Sequence, residues 1–206
     1  MFFVKVGFQN RSLLFCKVGF IQKEFGGRKM KALVLIDIQM DYFPGGKMEL
    51  VGTAEALGNA KNLLEKFRTE KLPVIHVQHI NMQEKAPFFV ADTEGVKIHP
   101  DLTPAAGESL VVKHYPSSFF QTNLAEIIEE KGITELVVVG MMTHMCIDTT
   151  VRAAKDHGVL VTLISDGCAT RDLVFKGETI PAAWVQKSFM ASLCGTFAQV
   201  VKAEEY

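Results

Sequence analysis

Residues 135–165 read ELVVVGMMTHMCIDTTVRAAKDHGVLVTLIS. The apolar run Glu135–Val139 stops at Gly140, an amphipathic stretch follows from about Cys146 to His157, and Gly158 closes it before a second apolar run, Val159–Ser165. The first run does not alternate polar with apolar residues, so it suits a strand buried on both faces. Its successor has helical spacing with a glycine stop. Strand, helix and strand in this order make the βαβ unit from which parallel sheets are built.

The same rhythm extends in both directions. Upstream lie apolar runs at Ala32–Ile38, Pro73–Gln78 and Ser109–Val112, with helical stretches from Thr53 to about Glu70 and at Thr122–Lys131, the latter closed by Gly132. In the first helix Leu57, Leu63, Leu64 and Phe67 recur at roughly helical spacing. Downstream, Asp166–Gly177 reads as a polar loop, Thr179–Leu193 as a helix tolerating Pro181 in its first turn, and Phe197–Val201 as a last strand. The expected fold class is α/β, a three-layer α/β/α sandwich around a six-stranded parallel sheet, Rossmann-like in outline. One passage, His79–Gly107, has no regular pattern, and loops of that length inside a compact domain usually serve function.

Composition narrows the function. With 206 residues and a formal net charge of -1, the chain gives no electrostatic case for nucleic acid or a membrane surface. No stretch holds the ~18 unbroken apolar residues of a membrane span. The charge is uneven: residues 1–29 carry Lys5, Arg11, Lys17, Lys23, Arg28 and Lys29 against Glu24, or +5, which leaves -6 for residues 30–206. Residues 1–29 are therefore set apart as an N-terminal extension, and residues 30–206 as the domain. The extension partly fits a transit peptide, but serine is scarce and no small-residue cleavage site stands out, so an upstream start or an appended segment is the preferred explanation. Cys16, Cys146, Cys168 and Cys194 are widely spaced without a CxxC pair, which suggests neither a disulfide framework nor a thiolate zinc site and fits a reducing, cytoplasmic home.

In open parallel sheets, ligands bind beyond the carboxyl ends of the strands. Asp37 stands at such an end in an apolar run, Lys113 directly follows another, and Cys146 lies just past Val139 at an expected helix start. Helix N–H groups and a nearby lysine favour a thiolate, and a desolvated carboxylate can take the thiol proton. Nucleophile, base and cation suffice for acyl transfer. Taken singly each is weak: a lone cysteine is commonly a packing residue, an aspartate a cap, a lysine a surface charge.

The surrounding words strengthen the case. DIQMDYF at 37–43, KHYPSSF at 113–119 and GMMTHMCIDTTVRAA at 140–154 resemble, in order, three blocks of the isochorismatase-like hydrolases, with Ile147 where the family usually has valine. The resemblance spans Met30 to the C-terminus. It implies a catalytic triad of Cys146, Asp37 and Lys113, a cis Met141–Met142 peptide, and an oxyanion hole formed by the backbone N–H groups of Met142 and Cys146. It also implies a cysteine hydrolase that splits an amide or related C–N bond through a thioester, because the ether-cleaving isochorismatases proper need no cysteine.

Metal-binding members of the family use an Asp-x-His set after the second strand. Here VIHVQHINMQEKAPFF has His76 and His79 without that aspartate, so no metal and no cofactor are expected. His76 is expected in the core, whereas His79, at a strand end, is a pocket candidate. The candidate substrate-binding residues are Gln39, Tyr42, His79, Tyr115, Phe119, Thr143 and His144, with packing as the alternative for each; Gln39 in particular could bond backbone without touching substrate. Residues 88–102 could cover the site. The expected partners are a small-molecule substrate and copies of the chain itself in a homo-oligomer, dimer or tetramer. An ether hydrolase and a catalytically silent binder of the same fold are the competing readings; a nucleotide-binding protein ranks last, since no GxGxxG or P-loop follows a strand.

Overall fold

A computed structural model describes residues 30–206; the segment 1–29, set apart above, lies outside the described residues. The chain runs β1 (Lys31–Ile36), α1 (Thr53–Thr69), β2 (Val74–His79), β3 (Ser109–Lys113), α2 (Leu124–Glu130), β4 (Glu135–Met141), α3 (Asp148–Asp156), β5 (Leu160–Ala169), β6 (Leu173–Phe175), β7 (Glu178–Ile180), α4 (Ala182–Leu193) and β8 (Gln199–Val201). Six strands form one sheet in the order β3-β2-β1-β4-β5-β8, every pair parallel. The expected three-layer architecture is present.

Alternation within the strands decides the layers. Ala32, Val34, Ile36, Leu136 and Val138 turn toward Leu124, Ile127, Val151, Met190 and Leu193 of α2, α3 and α4. Leu33, Leu35, Val137 and Val139 turn the other way, onto Ala56, Ala60, Leu63, Leu64 and Phe67 of α1. A strand covered on both faces has no position for a solvated side chain, which is why its sequence is continuously apolar. Among the described residues no helix is long and apolar enough to cross a membrane.

Strand order reverses between β1 and β4. The chain moves outward through β2 and β3, then returns to place β4 on the other side of β1. The carboxyl ends of β1 and β4 therefore border the crevice where open α/β sheets take ligands. Their approach depends on Gly140, which pairs with Ile36 at φ 138°; a Cβ there would meet the Ile36 carbonyl oxygen at 2.1 Å. Only glycine combines that backbone angle with that contact.

Three boundaries depart from the sequence expectations. β5 continues to Ala169, and the expected polar loop 166–177 supplies the end of β5 and part of the antiparallel hairpin β6-β7. The helix expected from Thr179 begins at Ala182, because the residue before a proline is biased to extended backbone and Ile180 ends β7. Pro181 is the cap, and the Asp172 carboxylate takes the Ala182 N–H at 2.7 Å. Finally, Cys146 does not start a regular helix. It lies within a π-helical turn, Thr143–Ile147, in which the Met142 carbonyl receives the N–H groups of Met145 and Ile147, and α3 begins only at Asp148.

Candidate active site

The site gathers around an ammonium. Lys113, the last residue of β3, extends its side chain past β2 so that Nζ lies 2.7 Å from Asp37 Oδ2 and 3.2 Å from Cys146 Sγ. The same nitrogen is 3.0 Å from the Tyr115 carbonyl and 2.9 Å from Nδ1 of His79, its neighbour across the β2–β3 pairing. Lys113 and Asp37 are fully buried and Cys146 is 5% exposed. A charge at this depth is tolerated only when paired. Asp37 turns its carboxylate in from a left-handed residue, φ 52°, just past β1. Neither of its oxygens receives a well-aligned hydrogen bond among the described residues. The carboxylate is neutralised by proximity and keeps lone pairs free for a proton.

Electrostatics corrects one expectation. Burial pushes the Cys146 thiol well above its usual range, and Asp37 pushes it further; the lowering effect of Lys113 is outweighed. The resting cysteine is thus a thiol, not the thiolate expected from a helix start beside a lysine. For Lys113 burial opposes the charge, but Asp37 and Cys146 prevail and its pKa is raised. Burial and the adjacent ammonium lower His79 to about 4, so its imidazole is neutral. Because Nδ1 faces an ammonium, the ring proton belongs on Nε2.

Asp37, His79 and Cys146 present ligand-type atoms within 4.8 Å of one another, a spacing that could hold a metal ion. The point they share is the place of the Lys113 ammonium, which lies within hydrogen-bonding distance of His79 and Cys146 and ion-pairs with Asp37. A second cation could enter only if this one left.

The other candidates fall into distinct roles. Tyr42 is buried against Phe89, with ring centroids 4.6 Å apart, and its phenol is raised by burial first and then by its acidic neighbours Cys146 and Asp37. It borders the reactive groups. Gln39 does not face a ligand: its amide accepts the His79 N–H at 2.8 Å and donates to the carbonyls of His79 and Val96. The backbone alternative holds there. The Thr143 hydroxyl lies 2.7 Å from Gln186 Oε1 and 3.1 Å from the Ala169 carbonyl, which fixes the cysteine turn. His144 reaches Thr170 Oγ1 through Nδ1 at 2.7 Å and is partly exposed. Tyr115 is 45% exposed, edge-on to Phe120. Phe119 corrects the expectation of a pocket role: it stacks on His157 at 4.5 Å and packs against the apolar layer of α2 and α3. His76 is buried with Nε2 2.8 Å from Glu108.

The Met141–Met142 peptide is cis. Residues 88–98 lie along the segment after β1, through Met40 N–H to Lys97, Asp41 N–H to Gly95, and the isolated bridge of Gln39 with Ile98. Sequence reasoning missed the group that ties this loop down, Asp41. Its buried carboxylate takes the Phe89 N–H at 2.7 Å and the Lys47 N–H at 3.2 Å. A second acid four residues after Asp37, in a buried segment, was the available signal. Gln186, in mid-helix on α4, offered none. A surface depression of about 550 Å³, lined by Arg68, Lys71, Pro73 and Glu108 among others, opens at the amino-terminal end of the strands, away from these groups.

Thiol, carboxylate and ammonium thus meet at the switch point of a parallel α/β sandwich. The Isochorismatase domain matches residues 31–204, and the chain belongs to the isochorismatase-like hydrolase family. The isochorismatase family protein YddQ of Bacillus subtilis is 48% identical, covering 85% of this chain and 97% of its own length. The secreted isochorismatase effector Isc1 of Verticillium dahliae is 35% identical over 84% of this chain and 88% of its own. A solved isochorismatase hydrolase structure from Oleispira antarctica superposes with TM-score 0.83 at 44% identity, covering 91% of this chain and 98% of that one. More distant relatives include a maleamate amidohydrolase of Pseudomonas putida, 28% identical over 68% of this chain and 72% of its own. The nicotinamidase of Escherichia coli is 27% identical over 67% of this chain and 82% of its own.

Proposed function

We propose that this protein is a cysteine hydrolase that cleaves the C–N bond of a small amide through a thioester on Cys146. The carrying observation is the contact of one buried ammonium with both the Asp37 carboxylate and the Cys146 sulfur. The names of the distant relatives, which act on amides, support the same chemistry.

Proton placement governs the mechanism. With Lys113 and Asp37 charged and Cys146 a thiol, the three groups sum to zero; moving the thiol proton to Asp37 leaves thiolate and ammonium and the sum is unchanged. A buried site resists a change of net charge, but not a transfer between adjacent groups. Sulfur attacks the carbonyl carbon as Asp37 takes the proton, and the backbone N–H groups of Met142 and Cys146 receive the developing oxyanion. Asp37 passes the proton to the departing nitrogen, amine leaves, and a thioester remains. Water then gives a proton to Asp37 and hydroxide to the acyl carbon, releasing the acid and restoring the thiol.

Ammonia release from a panel of small amides, with Cys146→Ala as control, tests the reading. Turnover that disappears in the variant, together with an acyl adduct on Cys146 by mass spectrometry, supports it. Turnover retained in a folded Cys146→Ala protein refutes it.

A further inference from the structure

The hairpin β6-β7 stands apart from the six-stranded sheet. Among the described residues its two strands pair only with each other, and five of their six residues are exposed, Leu173 being half-buried. A lone two-stranded ribbon is marginal in water and normally needs further strands or a packed face. This one presents apolar side chains instead: Val174 is 71% exposed and Phe175 66%, and Ile180 and Trp184, the latter in the first turn of α4, are exposed with them. Scattered surface hydrophobics are ordinary, but four concentrated between positions 174 and 184 are the mark of an interaction surface.

The two edges of the ribbon differ. Lys176 and Gly177 have φ 50° and 84°, the two-residue primed turn whose flanking pair, Phe175 with Glu178, exchanges both backbone hydrogen bonds. Bonded and non-bonded pairs alternate along an antiparallel ladder, so Leu173–Ile180 is the next bonded pair, and Val174, opposite Thr179, turns its N–H and carbonyl away from β7. No other group among the described residues takes them up. The β7 edge carries Glu178 and runs into Pro181, which has no N–H, whereas β6 has neither proline nor charge between Asp172 and Lys176. Edge strands without such guards pair with other chains.

The sequence of β6 selects the partner. Asp172-Leu173-Val174-Phe175-Lys176 places an acid and a base at equal distances on either side of Val174. Laid antiparallel against a copy of itself, about a two-fold axis through Val174, the segment sets Val174 opposite its own counterpart, Leu173 opposite the copy's phenylalanine and Asp172 opposite the copy's lysine. The last two pairs occur twice, once on each side of the axis. Apolar and opposite-charge cross-strand pairs both stabilise, whereas like charges repel. β7 has no such match, since the same operation about Thr179 sets Glu178 against Ile180. Asp172 gives one carboxylate oxygen to the Ala182 N–H and keeps the other for this contact. A two-fold interface requires this kind of self-complementarity.

We propose that two copies of this chain dimerise through β6, their hairpins joining as a four-stranded antiparallel sheet in the order β7-β6-β6-β7, with reciprocal hydrogen bonds between the two Val174 backbones. Sedimentation velocity of the full chain at micromolar concentration should show dimers, or a tetramer built from them. Val174→Pro removes the outward N–H without touching a bond to β7. It should raise the dimer dissociation constant roughly 10- to 100-fold, as for loss of two backbone hydrogen bonds. A proline also restrains the ribbon itself, so a milder variant reads the same geometry. Opposed residues that share hydrogen bonds have Cα atoms about 5.5 Å apart, within the span of a disulfide. Val174→Cys in a Cys194→Ser background, which removes the exposed native thiol, should therefore oxidise to a covalent dimer linked at position 174, identified by peptide mass spectrometry. A monomeric native protein overturns the proposal. So does a dimer that survives Val174→Pro and forms no symmetric disulfide in Val174→Cys, since it is then assembled through another surface.

Discussion

Replacing Lys113 with methionine keeps the volume of the side chain and removes the charge around which the site is organised. The substitution strips Asp37 of its 2.7 Å counter-ion, Cys146 of its 3.2 Å donor and the Tyr115 carbonyl of its 3.0 Å donor, all in a fully buried setting. Breaking a buried pair from one side costs about 3–5 kcal/mol because the surviving charge is left without compensation. Against a typical total of about 5–15 kcal/mol, that is a large share of the stability. Asp37→Asn should cost a comparable amount by stranding the ammonium. The informative protein is the double variant, in which neither charge remains, and its loss should be smaller than the sum of the single losses by about 2 kcal/mol or more. Urea unfolding followed by far-UV circular dichroism gives the three differences. Losses that add to within about 0.5 kcal/mol would mean that the two groups are energetically independent and would refute the ion-pair account. Turnover cannot make this distinction, since each of the three variants should be inactive. The sign of the pH dependence gives a second check. The Lys113 pKa is raised in the fold, so its stabilisation is fully present below the unfolded value of about 10.4 and is lost as pH rises through the folded value. The gap between the native protein and Lys113→Met should therefore narrow only above about pH 10.

Gly140→Ala should cost at least about 3 kcal/mol or prevent folding, since the new Cβ meets the Ile36 carbonyl oxygen at 2.1 Å at a backbone angle alanine rarely adopts. Wild-type thermal stability would exclude that contact. Asp41→Asn should cost about 1–3 kcal/mol, because the carboxylate accepts two backbone N–H groups through its two oxygens and an amide would turn an NH₂ toward one of them. Limited proteolysis should then find residues 88–98 cut faster, and an unchanged cleavage rate would count against Asp41 as their anchor. Acid should destabilise the fold in a defined window. His79 is lowered to about 4 by burial and by Lys113, so its contribution is present above about pH 6.5 and is lost as pH falls from there through about 4. Thermal melts of His79→Gln should show a shallower decline across that window; an unaltered slope would place the loss elsewhere.

The sheet was legible because burial on both faces leaves a one-dimensional record. Val137, Val138 and Val139 are apolar whichever layer they face, and Gly132 and Gly158 stop helices through local backbone geometry alone. Legibility failed where a side chain's partner lies elsewhere in the chain. Nothing near Gln39 reveals that both ends of its amide meet the backbone of His79, forty positions away. Phe119 stands beside a catalytic candidate in sequence, yet its ring meets His157. The π-helical turn at Thr143–Ile147 was hidden for a related reason: a change from i−4 to i−5 pairing alters no residue type, only the acceptor that Ile147 uses.

The candidate site lies between these cases. Asp37 and Cys146 follow adjacent strands, so knowing that β1 and β4 pair is enough to bring them together. Lys113 belongs to the edge strand β3, with β2 intervening, a lateral separation of about 10 Å at ordinary strand spacing. Only a long unbranched side chain closes that distance, and it must do so through the interior past His79, the residue paired with it across the ladder. Arginine would bring a wider, planar head into a place that holds one point charge among a carboxylate, a sulfur, a carbonyl and a ring nitrogen. A shorter cation would stop short. The strand order thus explains why lysine suits this position, a requirement that the sequence around Lys113 does not contain.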